Sequence, residues 1–301
     1  MQLFGLGALF LSVVWMLRNE NDKSRPILVL ALVFNLVYFW IVGVVLRRED
    51  AWLAWKFDYF LVNLDLSLGA SAASIARPLQ GIWRIPLVVV YNLMVPMMIC
   101  WFPLTRGQNR RGALILAYAT ELVFAPMMYS LLPACGPVYA FGSKWLSTVA
   151  APAHLIRLSG MPNAFPSLHI ATAIVLVVSA RGKLWRAIAL VFLAATALAT
   201  MATGEHYVID LIPGLAFGSF AASVGLRRMR TALLYFGITL FWSLAVRFEY
   251  AVLVVHPVLL RSVAAATIAP VALAVHRAWR AEALKGRDTA EPKPLHPVTV
   301  A

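Results

Sequence analysis

Long apolar runs separated by short basic turns make up most of this chain. The runs over residues 2–17, 27–46, 83–105 and about 112–132 approach the length of roughly 20 apolar residues that carries a helix across a bilayer. Further on, MPNAFPSLHIATAIVLVVSA, the basic turn RGKLWR and AIALVFLAATALATMATG read as an out-and-back pair of helices. A helix from His206 to about Leu226, a span over 231–246 and a last span ending near His276 complete the series. The predicted fold class is all-α: a polytopic integral membrane helix bundle with about eight or nine spans.

The stretches between the runs are also informative. Residues 47–69 mix Trp, Phe and Leu with Arg47, Arg48, Lys56, Asp58 and Asp65, too many charges for a crossing. The segment is therefore expected to lie in the membrane interface as an amphipathic helix. Residues 71–82 read as a loop, and residues 133–161 as the longest connection. The run over 2–17 has no charged residue before it, and its first charge, Arg18, follows it; this is the reverse of a cleavable leader and predicts a retained helix. No internal repeat is visible. The chain divides into N-terminal helices and an interfacial segment (1–82), a transmembrane core (83–278) and a basic tail (279–301).

Composition agrees with this class, since 61% of residues are hydrophobic and 13% charged. A net charge of +13 in a soluble protein would suggest nucleic acid. Here the basic residues sit in the short turns, so they report topology and no nucleic-acid partner is expected. Grouping alternate loops places 17 of the 26 Lys and Arg on one side. The turns at 106–111, 181–186 and 226–230 and the C-terminal tail are then cytoplasmic, and the loops holding Arg77, Arg157, His169 and His206 face outward. Arg186 to His206 covers roughly 30 Å of helix, whereas His169 to Lys183 covers only about 21 Å, which predicts His169 in a recess below the outer surface. Cys100 and Cys135 have no metal-like spacing and read as inert thiols.

The candidate chemistry lies between Met161 and Gly214. His206 and Asp210 are four apart; on one helix face the carboxylate could accept a hydrogen bond from Nδ1 and leave Nε2 as a free lone pair. His169 follows Pro166 and Ser167. Proline suits the first helical position and Ser167 can cap the helix, whose N–H groups favour an anion. His169 would then be within reach to protonate a leaving oxygen. The same pair could instead be a structural hydrogen bond, or part of a proton or cation path in a transporter. His154, His256, His276 and His296 read as satisfied polar residues or interfacial anchors. Asp58 and Asp65 stay open, Glu121 is expected to pair with an arginine, and Arg77 before Pro78 is by itself a loop residue.

Together, NAFPSLH and GEHYVIDLIPG resemble the paired signature of the type 2 phosphatidic acid phosphatase superfamily, a PSxH segment and an HxxxD segment facing one phosphate site. The flanks, AFPSLH and HYxxDLIxG, look more like the fungal inositol phosphorylceramide synthase branch and its bacterial relatives. The resemblance implies a phosphatase- or phosphotransferase-like core needing no metal or cofactor. His206 would attack phosphorus to give a phosphohistidine, Asp210 would orient the ring, and His169 would protonate the departing oxygen and then activate water or an alcohol. Ser167, Arg77 and Arg157 are the implied or candidate phosphate contacts. The implied partners are a phospholipid or lipid phosphate substrate and membrane lipids, and the implied setting is a bacterial plasma membrane with the site facing outward.

The departures matter too. The first family motif usually starts with a Lys where this chain has Ala70, and the third has an Arg where this chain has Thr200; Leu168 stands where many members have Gly. A phosphomonoester dianion leans on several cations, whereas a diester carries one negative charge. The expected function is therefore lipid headgroup phosphotransfer, with lipid phosphate hydrolysis and a non-enzymatic transporter as alternatives. Arg84 or Arg157 could supply a substitute cation.

Overall fold

A computed structural model describes residues 29, 33, 35–38, 40–46, 54–105, 108–147 and 160–288. The expected crossing over 2–17, the residues Arg47, Arg48, His154, Arg157 and His296, and the end of the tail lie outside the described residues. All regular elements among the described residues are helical. We number the α-helices α1 (Ala54–Leu68), α2 (Ala72–Ala76), α3 (Arg84–Asn92), α4 (Met94–Leu104), α5 (Gln108–Leu131) and α6 (Pro137–Phe141). After them come α7 (Leu168–Ser179), α8 (Gly182–Thr203), α9 (Val208–Gly225), α10 (Met229–Phe248), α11 (Tyr250–Val255) and α12 (Pro257–Asp288).

This is an integral membrane protein. Among the described residues five helices are long and apolar enough to cross a bilayer: Asn109–Leu131, α8, α9, α10 and Pro257–Arg280. Two bent pairs, Phe57–Leu68 with Ala72–Leu79 at 70° and Gly81–Asn92 with Pro96–Phe102 at 53°, raise the number to seven if each counts as one crossing. The expected eight or nine are not reached among these residues. One reason is α7: its 12 residues cover only about 18 Å, well short of the roughly 30 Å hydrocarbon core. The run over 83–105 is likewise broken between Asn92 and Met94.

The interior is built around α9. Inside the protein 78% of its apolar window is buried, against 22% for α12, so α9 is the axis of the bundle and α12 lies at its edge. α7, α10, α5, α12 and α1 all pack against it. With few charges and no long polar face, the sequence IDLIPGLAFGSFAASVG suits a helix enclosed on all sides. Its contact with α7 brings backbone against backbone at two successive turns. A Cβ at Gly214 would stand 2.8 Å from the Ser167 carbonyl oxygen, and one at Gly218 only 2.2 Å from that of Ala171. Two glycines one turn apart thus let the two backbones touch, the small-residue packing by which helices associate in lipid.

Several local expectations change. The two carboxylates of residues 54–68 do not face water: Asp58 and Asp65 have 0% exposure and share the buried face of α1 with Phe57, Leu61 and Leu64. Two carboxylates two helical turns apart point the same way, and that way is inward. Residues 71–82 are α2 followed by 3-10 turns at Arg77–Leu79 and Gly81–Trp83, with Ser71 and Ser74 forming a capping box. Among the described residues Glu121 meets no arginine; its Oε2 accepts from the Thr172 hydroxyl at 2.7 Å and joins α5 to α7. Cys100 is exposed and Cys135 buried. Connectivity places the start of α7, the end of α8, the start of α9 and the end of α5 at one end of the bundle. The basic turns at 181–186 and 226–230 lie at the other.

The contact between α7 and α9 can be tested directly. Gly218→Val should force the backbones apart, cost on the order of 1–3 kcal/mol and lower the melting temperature in detergent by several degrees. Gly237→Ala, where a Cβ would meet nothing within 4 Å, should leave it unchanged.

Candidate active site

The turn between α8 and α9 sets the position of His206. Gly204 ends α8 in the left-handed region at φ 75, a conformation glycine adopts without strain. The Thr200 carbonyl then accepts the N–H groups of Glu205 and His206 at 3.2 and 3.3 Å, which folds the chain back over the end of α8. His206 and Tyr207 precede α9, with Tyr207 extended at φ −87, ψ 161. This corrects the expectation that His206 and Asp210 share a helix face. Asp210 is the third residue of α9, and its Oδ2 reaches back to accept the Tyr207 N–H at 2.8 Å as a capping carboxylate.

The hydrogen bond that orients His206 is also not the expected one. Nδ1 lies 2.8 Å from the backbone carbonyl of Ala164 and 3.4 Å from Asp210 Oδ2. A carbonyl can only accept, so Nδ1 carries the proton and donates to Ala164, leaving Nε2 as a lone pair. The carboxylate of Asp210 stands behind the ring at ion-pair distance. His206 is 3% exposed; burial pushes its imidazole down to about 4 from the ordinary 6.5, with the Glu205 charge and the Ala164 carbonyl pulling the other way.

His169 comes to the same place from α7. Ser167 is the N-cap, extended at φ −64, ψ 111, and its hydroxyl accepts the Ile170 N–H at a long 3.5 Å. Pro166 therefore precedes the cap instead of occupying the first helical position. Ser167 is fully buried, and its own N–H donates to the Asp210 carbonyl at 3.2 Å, a direct tie between the two motifs. The N–H groups of Leu168 and His169 lie in the first turn, where a helix offers no internal acceptor. The His169 and His206 ring centroids are 5.6 Å apart at 71°. Tyr91 from α3 stacks on His169 at 4.1 Å and 25°. His169 is half-buried, so the pair sits at an accessible edge of the core.

Arg77 is exposed and donates to the Leu146 carbonyl at 2.8 Å, Arg84 is exposed, and Arg157 lies outside the described residues. Among the described residues no Lys or Arg hydrogen-bonds to either histidine. The hydroxyl of Tyr139 donates to Glu205 Oε1 at 2.8 Å beside the site. Burial pushes the Glu205 carboxyl up, opposed by that hydroxyl and by His206. No group of three or more His, Cys, Asp or Glu among the described residues could hold a metal ion.

Four participants escape the motif reading: the Ala164 carbonyl, Tyr91, and the carboxylates of Asp58 and Asp65. Asp65 accepts from the backbone of Val208 and Ile209 at the start of α9, and Asp58 from the hydroxyl of Tyr207. Their one sequence signal is a pair of carboxylates seven apart on an otherwise apolar helix.

Because burial opposes charge on His206, the unfolded chain binds a proton on this imidazole that the folded chain refuses between pH 6.5 and about 4. Stability is therefore full above 6.5 and declines as the pH falls through that window. Thermal melts from pH 7 to 4.5 should show a shallower acid decline for His206→Gln than for the natural protein.

Comparison with known proteins adds one positive finding: a family model described as the PAP2 superfamily matches residues 60–224, more than half of the chain, a range that takes in Ser167, His169, His206 and Asp210. No curated protein and no solved structure matches. The chain belongs to the PAP2 superfamily, whose members are phosphoesterases or phosphotransferases.

Proposed function

We propose that this protein is a membrane phosphotransferase that moves a phosphoryl headgroup between a phospholipid and an alcohol through a phosphohistidine on His206. The observation that carries the reading is the meeting of two histidines from different helices, one with its Nδ1 proton fixed and its Nε2 free, beside the open first turn of α7. Superfamily membership supports phosphatase or phosphotransferase chemistry on lipid phosphates.

The steps follow from these groups. The substrate phosphate takes the N–H groups at the start of α7, because those at the start of α9 are already taken by Asp65 and Asp210. Burial pushes the His169 imidazole down to about 3, so it takes up a proton together with the substrate anion, whose charge favours the imidazolium. Nε2 of His206 then attacks phosphorus; the P–N bond forms, the P–O bond to the lipid alcohol breaks, and the leaving oxygen takes that proton from His169. Asp210 offsets the positive charge that the ring acquires. The now neutral His169 removes the proton of the acceptor hydroxyl, whose oxygen attacks phosphorus, breaks the P–N bond and restores both histidines.

Transfer from a diester is favoured by the electrostatics. Ala70 and Thr200 replace family cations, Thr200 is fully buried with its carbonyl occupied by the turn, and one N–H of the exposed Arg77 donates to the Leu146 carbonyl. With those two family cations replaced and no Lys or Arg hydrogen-bonded to either histidine among the described residues, the site suits a monoanionic phosphodiester better than a dianionic monoester. Hydrolysis is the second reading, favoured by His169, which is only half-buried and so within reach of water. The positive-inside rule supports a plasma-membrane orientation with the histidine end outward. The AFPSLH and HYxxDLIxG flanks support the branch resembling inositol phosphorylceramide synthase, with residues 83–278 as its core and Arg157 as a candidate phosphate contact.

Two measurements test this. Labelled phospholipids incubated with purified protein, with and without diacylglycerol or ceramide, should yield headgroup transfer to the added alcohol; release of inorganic phosphate from phosphatidic or polyprenyl phosphate with no transfer would establish hydrolysis instead. An acid-labile phosphoryl adduct should form on the natural protein and disappear in His206→Ala, with His169→Ala lowering turnover by about 100-fold or more.

A further inference from the structure

α1 carries two carboxylates into the protein where no cation meets either of them among the described residues. Asp65 Oδ1 accepts the Ile209 N–H at 2.8 Å, and its Oδ2 accepts those of Val208 at 3.0 Å and Ala72 at 3.2 Å. Asp58 Oδ1 accepts the Gly136 N–H at 2.9 Å and the Tyr207 hydroxyl at 2.8 Å, and both its oxygens lie within 3.2 Å of the Cys135 N–H. Six donors thus converge on two side chains with 0% exposure. A buried carboxylate is costly unless hydrogen-bonded to this degree. Asparagine could not replace either residue, because its NH2 group would set a donor against a donor.

Apart from Ala72, these donors lead to His206. Tyr207, Val208 and Ile209 are the three residues that follow it. Gly136 lies against the residue before it: a Cβ there would stand 2.2 Å from the Glu205 carbonyl oxygen. The third connection runs to the ring itself. Ala134, adjacent to Cys135, accepts the Ala164 N–H at 2.8 Å, and the Ala164 carbonyl accepts the Nδ1 proton of His206 at 2.8 Å. Asp65 therefore grips the backbone on one side of the histidine, and Asp58 reaches its ring through Cys135, Ala134 and Ala164.

We propose that Asp58 and Asp65 are positioning residues of the phosphoryl-transfer site: without touching substrate, they hold the His206 turn and fix the tautomer and aim of its ring. The inference rests on the reading of His206 as the nucleophile. A merely structural pair would set how much protein folds. A positioning pair also sets how fast each folded site reacts, since small misplacements of a reacting group are costly in rate.

The test compares the natural protein with Asp65→Asn, Asp58→Asn and the milder Tyr207→Phe, which removes one hydrogen bond and no charge. Active sites are counted from the phosphoryl adduct, kcat per site and KM are measured with a labelled phospholipid, and the His206 tautomer is read from 15N-histidine NMR in detergent, assigned with His206→Gln. Per-site kcat should fall about 10–100-fold in the Asn variants and about 3–10-fold in Tyr207→Phe, with KM within about threefold. The fixed Nδ1–H tautomer should give way to a mixture in all three. Unchanged per-site kcat and an unchanged tautomer, with only the melting temperature or the number of active sites reduced, would overturn the proposal. If the natural protein forms no adduct, the phosphotransfer reading fails by itself, and the tautomer still decides: a fixed tautomer in every variant rejects positioning, and a mixture upholds it.

Discussion

The histidine end of this bundle depends on finding acceptors for backbone N–H groups where helices stop inside a membrane protein. Within lipid an unpaired N–H has no water to turn to, and each orphan costs several kcal/mol or so. Four breaks occur close together here: after α1, after α5, before α7, and between α8 and α9. Their donors are taken by carboxylates at Asp58, Asp65 and Asp210, by the Ser167 hydroxyl, and by the carbonyls of Ala134 and Thr200. The buried acids are the price of allowing irregular chain at this depth, and that irregular chain is what carries the reactive groups.

The same arrangement divides the two helix starts into different roles. At α9 the protein's own anions occupy the first N–H groups, so the positive end of that helix holds the turn together. At α7 the cap is a neutral serine with a long bond, so the corresponding end keeps its attraction for an external anion. His206, enclosed and neutral, stands over the filled end; His169, half-buried, belongs to the open one. The difference in exposure between the two histidines thus follows which helix end the chain has already filled.

Much of this is legible in the residues themselves. The apolar runs give the helical membrane class, and the spacing of PSLH and HYVID gives two histidines and an aspartate at one end. Periodicity was misleading where a motif crosses a helix boundary. His206 and Asp210 have helical spacing, yet Gly204 stops α8 and Tyr207 starts α9, so the aspartate serves as a cap and a carbonyl 42 residues away takes the ring proton. The charges on α1 were misread for a related reason. A carboxylate on an apolar helix is expensive on average, and only the long-range partners at 135–136 and 207–209, invisible in a linear pattern, make it favourable. Tyr91 carried no signal at all, because stacking on His169 depends on how α3 leans against its neighbours.

The backbone contact of Gly218 with Ala171 has an effect that reaches past assembly. Two helices in contact at that range behave as one solid body. The span that shows most of its length to the surroundings is α12, 22% buried, whereas the two histidines stand at the ends of this closely joined pair. Strain from a change in bilayer thickness or lateral pressure therefore bears on the outer helices before it reaches the join.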